Sequence, residues 1–259
     1  MKLRKINEVS LTASNINVGD VIKVGANAYL KIDKIPADLQ AVFDTMSAKV
    51  QQSMKNPRNT KLLEQNSIPM SHSLFTNLFV FTRVIAETFP GLACYDDSRQ
   101  SFYAENQTAN LSELFERHLF QCAEFAVVAQ MYLQSIGVDS EYVGGEFLGN
   151  QNWEFGDQHS FVIIHENDKD FVFDPANNNS GNTPNISVVE LTPKQKVKIQ
   201  AKLLSGKRKV AFFETRDIIT NRKAFYGYGD GANVSEDMIF KKELISPNVF
   251  VKDFPGDNR

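Results

Sequence analysis

Two β-rich runs separated by a very short polar gap constrain this chain more than any other feature. His159-Ser-Phe-Val-Ile-Ile-His165 and Asp170-Phe-Val-Phe-Asp174 flank Glu166-Asn-Asp-Lys169. Apolar β-formers on either side of an Asn-Asp turn read as an antiparallel hairpin. A two-residue loop and a four-residue loop give the same register, with Phe161 opposite Asp174. His159 is then the diagonal neighbour of Asp174 on one face, with Cβ atoms about 7 Å apart or less, within reach of an imidazole–carboxylate contact. A loop one residue longer or shorter would turn the two side chains to opposite faces.

Upstream, Phe125, Ala129, Tyr132, Leu133 and Ile136 recur at helical spacing, and Gly137 supplies the stop. Cys122 stands at the head of this helix. The positive end of a helix dipole favours the thiolate, which is the nucleophilic form of cysteine. Cys122, His159 and Asp174 together supply the nucleophile, base and orienter of a thiol enzyme. Taken alone, each has a plainer reading: a buried inert thiol, a polar residue at a strand start, and a turn aspartate before Pro175. No helix breaker separates Cys122 from the apolar-patterned segment at Leu111, Leu114 and Phe115. A continuous helix there would leave Cys122 in mid-helix and remove the dipole argument.

The rest of the chain reads as helices first and strands after, hence α+β with an antiparallel sheet. Residues 20–32 form a hairpin around Gly25-Ala26-Asn27. Pro36 opens a helix with Leu39, Val42, Phe43, Met46, Val50 and Met54 on one stripe. Pro69 opens a second, carrying Leu74, Phe75, Leu78, Phe79, Phe81 and Ile85, stopped by Pro90-Gly91. Asn110 caps a third. Strands are expected at 140–143, 159–165, 171–174 and 210–213, and charged helices at 193–204 and 236–245. The reading is a single domain over 1–259, with a core at about 70–190, the hairpin at 20–32 and a C-terminal extension at 190–259.

Composition narrows the function classes. Of 259 residues, 28 are Lys or Arg and 31 are Asp or Glu, a net charge of −3 that provides no basic field for nucleic acid. No apolar run reaches the length of a membrane span. The basic start Met1-Lys-Leu-Arg-Lys5 is followed by polar Asn7, Glu8 and Ser10 where a signal peptide needs an apolar core. Two cysteines cannot build a disulfide framework. A cytoplasmic location, or export by a route without a signal peptide, is expected.

The segments from Cys122 to Val138, Tyr142-Val-Gly-Gly145, His159-Ser-Phe-Val162 and Phe173-Asp-Pro175 resemble, in order and spacing, the transglutaminase-like core. The resemblance extends to papain-like toxins and secreted bacterial effectors that deamidate or cleave host proteins. It implies a Cys-His-Asp triad on a helix packed against an antiparallel sheet, a protein or peptide substrate, and no cofactor. The implied reaction is amide hydrolysis or acyl transfer through an acyl-enzyme, released to water or to an amine. A transglutaminase-like scaffold serving only to bind a protein is the alternative. The Cys122 N–H and the side-chain amides of Gln121 and Gln158 are candidate oxyanion donors.

Other residues carry weaker signals. Cys94 reads as structural. His118 and Cys122 stand at i, i+4, but no further ligand has metal spacing, so no metal is expected. His165 sits at the hairpin turn. Trp153, Phe147 and Phe155 fall in an expected loop at 144–158 that could cover the cleft or plug the surface. Asp157 is a second choice for the orienting carboxylate, and Gly144-Gly145 lacks the following helix of a phosphate loop.

Overall fold

The computed structural model describes residues 11–25, 28–65, 69–148, 157–177, 185–189, 211–218 and 223–228. In chain order they form β1 (Leu11–Ala13), β2 (Val21–Gly25), β3 (Ala28–Lys31), α1 (Ala37–Met54), α2 (Pro57–Gln65), α3 (His72–Thr88) and α4 (Ser98–Asn106). Then come β4 (Thr108–Asn110), α5 (Leu111–Glu116), α6 (Cys122–Ser135), β5 (Ser140–Leu148), β6 (Asp157–Glu166) and β7 (Lys169–Asp174). β8 (Asn185–Val189), β9 (Ala211–Asp217) and β10 (Lys223–Tyr228) complete the described elements. The class is α+β: three short strands come first, and the six helices precede the antiparallel strands β5 to β10. No helix among the described residues is long and apolar enough to cross a membrane.

The antiparallel strands do more than make a sheet. β5 pairs with β6, β6 with β7, β7 with β8, β8 with β9 and β9 with β10, and β10 returns to β5 through Phe225↔Leu148. Six strands therefore close into a barrel, with β1 lying beside β5 at Leu11↔Gly144. Side chains alternate across its wall. Val143, Phe161, Ile163, Val172 and Tyr226 form an interior cluster. Tyr142, Val162, Ile164, Phe171, Phe173 and Ile186 face the other way and join the core made with the helices.

α6 packs against β5 and β6 and is buried nearly all round. Phe81 of α3 stacks on Tyr132 of α6 at 5.3 Å and meets Phe173 of β7 edge-on at 6.0 Å. These aromatic contacts tie α3, α6 and the barrel into one core, each pair adding to the area term. Of the stripe expected for α1, Leu39, Val42, Met46 and Val50 are buried, and Phe43 and Met54 are partly buried against the same core.

Several boundaries differ from the sequence expectation. α3 begins at His72 rather than Pro69, because the Ser71 hydroxyl accepts the Leu74 N–H at 3.2 Å. Asn110 precedes α5, but its side chain makes no cap bond; Asp33 serves instead, accepting from the Ser112 N–H and hydroxyl. The 20–32 hairpin forms as expected, and β3 also pairs with β4 in parallel. Residues 144–148 and 157–158 belong to strands, which shortens the expected 144–158 loop and places Gly144-Gly145 inside β5. The helices expected at 193–204 and 236–245, and Trp153 and Phe155, lie outside the described residues.

Candidate active site

Cys122 is the first residue of α6, and a break in the chain puts it there. α5 ends at Glu116 with Arg117 as its C-cap, followed by His118 in the left-handed region at φ 56°. The Leu119 N–H reaches the Leu114 carbonyl at 2.9 Å and the His118 N–H reaches Phe115 at 3.1 Å. That is the Schellman ending, built on histidine where glycine is the usual choice. The chain then runs extended beside 92–94: Phe120 N–H donates to the Leu92 carbonyl, and Cys94 N–H donates to the Phe120 carbonyl at 2.8 Å. His118 and Cys122 consequently do not share a helix.

The first turn of α6 is anchored from behind. Glu124 is fully buried and accepts the Gln121 N–H at 2.9 Å. Arg99 of α4 grips the same carboxylate with Nε 2.9 and 2.8 Å from its two oxygens and Nη2 at 2.8 Å, and the Tyr103 hydroxyl donates at 3.3 Å. Burial works against the Arg99 charge, but Glu124 beside it outweighs burial and raises its pKa. Burial, with the Glu124 charge added, likewise pushes the Tyr103 hydroxyl far up, so it stays a donor. Arg99→Met would strand a buried carboxylate, at a cost of about 3–5 kcal/mol and a fall in melting temperature of about 10 °C. A thermal melt checks this, and Arg99→Met/Glu124→Leu should recover most of the loss.

His159 and Asp174 are brought together by the β6–β7 hairpin. Asn167 and Asp168, at φ 53° and 59°, form a two-residue turn of the primed type, and Glu166↔Lys169 through Val162↔Phe173 set the register. His159 Nε2 lies 2.6 Å from Asp174 Oδ2. The His159 side chain is 16% exposed and that of Asp174 is fully buried, so the pair sits at a mouth with its carboxylate inside. Asp174 Oδ1 accepts the Asn177 N–H at 3.1 Å, and Oδ2 accepts the Tyr226 hydroxyl at 2.9 Å.

Cys122, at the start of α6, acts on the same imidazole and is among the groups that raise it. With Nε2 on Asp174, Nδ1 is the ring nitrogen left for a second partner. Burial disfavours the imidazolium, but the charge and hydrogen bond of Asp174, with Cys122 added, overcome it and raise His159 well above the usual histidine range. The His159 ring lies 6.5 Å from Phe161 and 6.4 Å from Tyr226, centroid to centroid. All three sequence-derived residues thus meet at one rim of the barrel, where the N-terminus of α6 reaches the start of β6 and the end of β7.

The remaining candidates fall elsewhere. Gln121 donates its side-chain amide to the Asp96 carbonyl at 3.4 Å, and the side chains of Gln158, Asp157 and Phe147 lie outside the described residues. The Cys122 N–H, at the first helical position, has no intrahelical acceptor and stands available as a donor. Cys94 is partly exposed, its sulfur 3.0 Å from Asp96 Oδ1; hydrogen bonds from Ser98 and then Cys94 hold Asp96 down to about 2. At the hairpin turn, His165 Nδ1 meets Asp170 at 2.7 Å, with Glu141 4.0 Å from Nε2. Among the described residues, no group of three or more His, Cys, Asp or Glu is placed to hold a metal ion.

Sequence reasoning missed Tyr226 and the Arg99–Glu124–Tyr103 anchor. Glu124, three residues after the helix N-cap, carries half of a capping-box signal. Tyr226 has no local signal at all. Compared with protein-family models, with curated proteins and with solved structures, the chain finds no match.

Proposed function

We propose that the chain is a thiol-dependent amide hydrolase or acyl transferase of the transglutaminase-like kind, acting on a protein substrate. The observation that carries the reading is the His159 imidazole 2.6 Å from the buried Asp174 carboxylate, with Cys122 at the first position of α6 acting on the same ring. In this reading Cys122 gives its proton to His159 Nδ1 and its sulfur bonds to the amide carbon. The carbonyl oxygen takes up the charge, with the Cys122 N–H as its candidate donor. The tetrahedral adduct collapses, the C–N bond breaks, and His159 returns the proton to the leaving nitrogen. Water or an amine then attacks the thioester, His159 takes its proton, and the sulfur leaves as the thiol again. Asp174 makes and breaks no bonds; it holds the N–H at Nε2 so that Nδ1 faces the sulfur.

The reading separates by product. Incubating the protein with casein and with a cell lysate, ammonia release without new peptide termini indicates glutamine deamidation or transamidation. New termini indicate peptide cleavage. At least one product is expected to form and to require Cys122. Neither product across a broad panel would favour the alternative, a scaffold that binds protein without turnover.

A further inference from the structure

We propose that Tyr226 is a positioning residue of this site, a fourth member that fixes the carboxylate on which the His159 ring turns. The inference rests on the thiol-enzyme reading above. Its hydroxyl donates at 2.9 Å to Asp174 Oδ2, the same oxygen that His159 Nε2 contacts at 2.6 Å. The residue is fully buried, in the barrel's interior cluster, and its ring meets Phe161 edge-on at 4.9 Å. It arrives from β10, 52 residues after Asp174, through the strand that closes the barrel onto β5.

The chemistry of the contact is specific. A buried carboxylate that accepts several donors has its two oxygens fixed in place. The Asn177 N–H holds Oδ1 at 3.1 Å, and the Tyr226 hydroxyl holds Oδ2 at 2.9 Å. Without the phenol, Oδ2 would keep the imidazole as its partner with one fewer restraint on rotation about the Asp174 side chain. The phenol also draws carboxylate charge toward itself and away from the ring. It therefore tempers how strongly Asp174 retains the proton-bearing form of His159, which must release a proton to the leaving group. Burial, with Asp174 next to it, pushes the Tyr226 hydroxyl far above its usual range, so it remains a donor at any working pH. The ionisable groups acting on this assembly are Cys122 from α6, Asp174 from β7, Asp217 from β9 and Tyr226 itself.

Tyr226→Phe tests this in the full chain, because it keeps the ring and deletes one oxygen. Turnover of casein per folded molecule should fall about tenfold to a hundredfold, mostly in kcat with KM nearly kept. The titration of His159, followed by ring NMR, should move to higher pH, since an unshared carboxylate holds the imidazolium more tightly. A tyrosine that only packs would lower the melting temperature and leave both readouts alone. A folded Tyr226→Phe protein with wild-type kcat and an unmoved His159 titration overturns the proposal. If no Cys122-dependent turnover exists, the enzyme reading fails by itself, and the NMR titration still decides whether Tyr226 governs the pair. Should Tyr226→Phe not fold, Asn177→Pro, which removes the other donor to Asp174, provides the comparison: equal His159 titrations for that variant and the wild type would overturn the idea that these donors set the carboxylate.

Discussion

Cys122→Ala is expected to remove turnover altogether, a loss of about 10⁶-fold or to the assay floor. Among the described residues no other group at the site can replace the sulfur: His159 is held by Asp174, and the Tyr226 hydroxyl is a buried donor. The residue is only partly buried at the mouth, so removing its sulfur leaves little cavity and the melting temperature should stay within a few degrees. Cys94→Ala is the matched control. Its thiol hydrogen-bonds Asp96 in the neighbouring loop, and turnover should persist. Product formation followed for both variants at equal folded concentration checks the claim. Equal losses from the two substitutions would assign the effect to general destabilisation.

Asp174→Asn should follow, with a fall of about 10⁴. Three donors converge on the two oxygens of this fully buried side chain: the Asn177 N–H on Oδ1, and His159 Nε2 with the Tyr226 hydroxyl on Oδ2. An asparagine has one acceptor end. Whichever way its amide lies, an NH₂ group opposes at least one of those donors, or His159 must adopt the other tautomer and turn its N–H toward the sulfur. The pH dependence has a definite sign. Asp174 raises His159, so losing its charge lowers the histidine, and the alkaline limb of the rate profile should move to lower pH. Stability follows the same linkage. A histidine raised on folding contributes stability that is full below its ordinary value near 6.5 and is lost as pH rises through the folded value. The stability gap between wild type and Asp174→Asn should therefore be widest in mild acid and narrow as pH rises. A gap that widens with pH would contradict the pairing.

The hairpin was the legible part of the site. Register follows from alternation and turn length, both local, and Asn167-Asp168 delivered the two positive φ angles that a tight primed turn requires. His159 and Asp174 could be paired from sequence for that reason. The start of α6 at Cys122 was expected, but the break that places it there was not legible, because the residue that ends α5 in the left-handed region is His118, not the glycine or asparagine that marks such stops. Short polar α4 showed no apolar stripe, since its inward residues are Arg99 and Tyr103 and its burial depends on Glu124, distant in sequence. The barrel was invisible for a related reason: closure depends on Leu148 meeting Phe225, a pairing no local pattern encodes. Tyr226 was missed with it, since its function comes entirely from where β10 lands.

The measurement that bears most directly on the account is the rate at which iodoacetamide modifies each cysteine near pH 6, read by peptide mass in the wild type and in His159→Ala. A thiol that passes its proton to a neighbouring imidazole reacts as thiolate in mild acid, where an ordinary thiol does not. Cys122 should be modified at least about tenfold faster than Cys94 in the wild type, and His159→Ala should erase most of that difference. Slow, equal modification of both cysteines, or a Cys122 rate indifferent to the loss of His159, would contradict the claim that the three residues act as one nucleophilic unit.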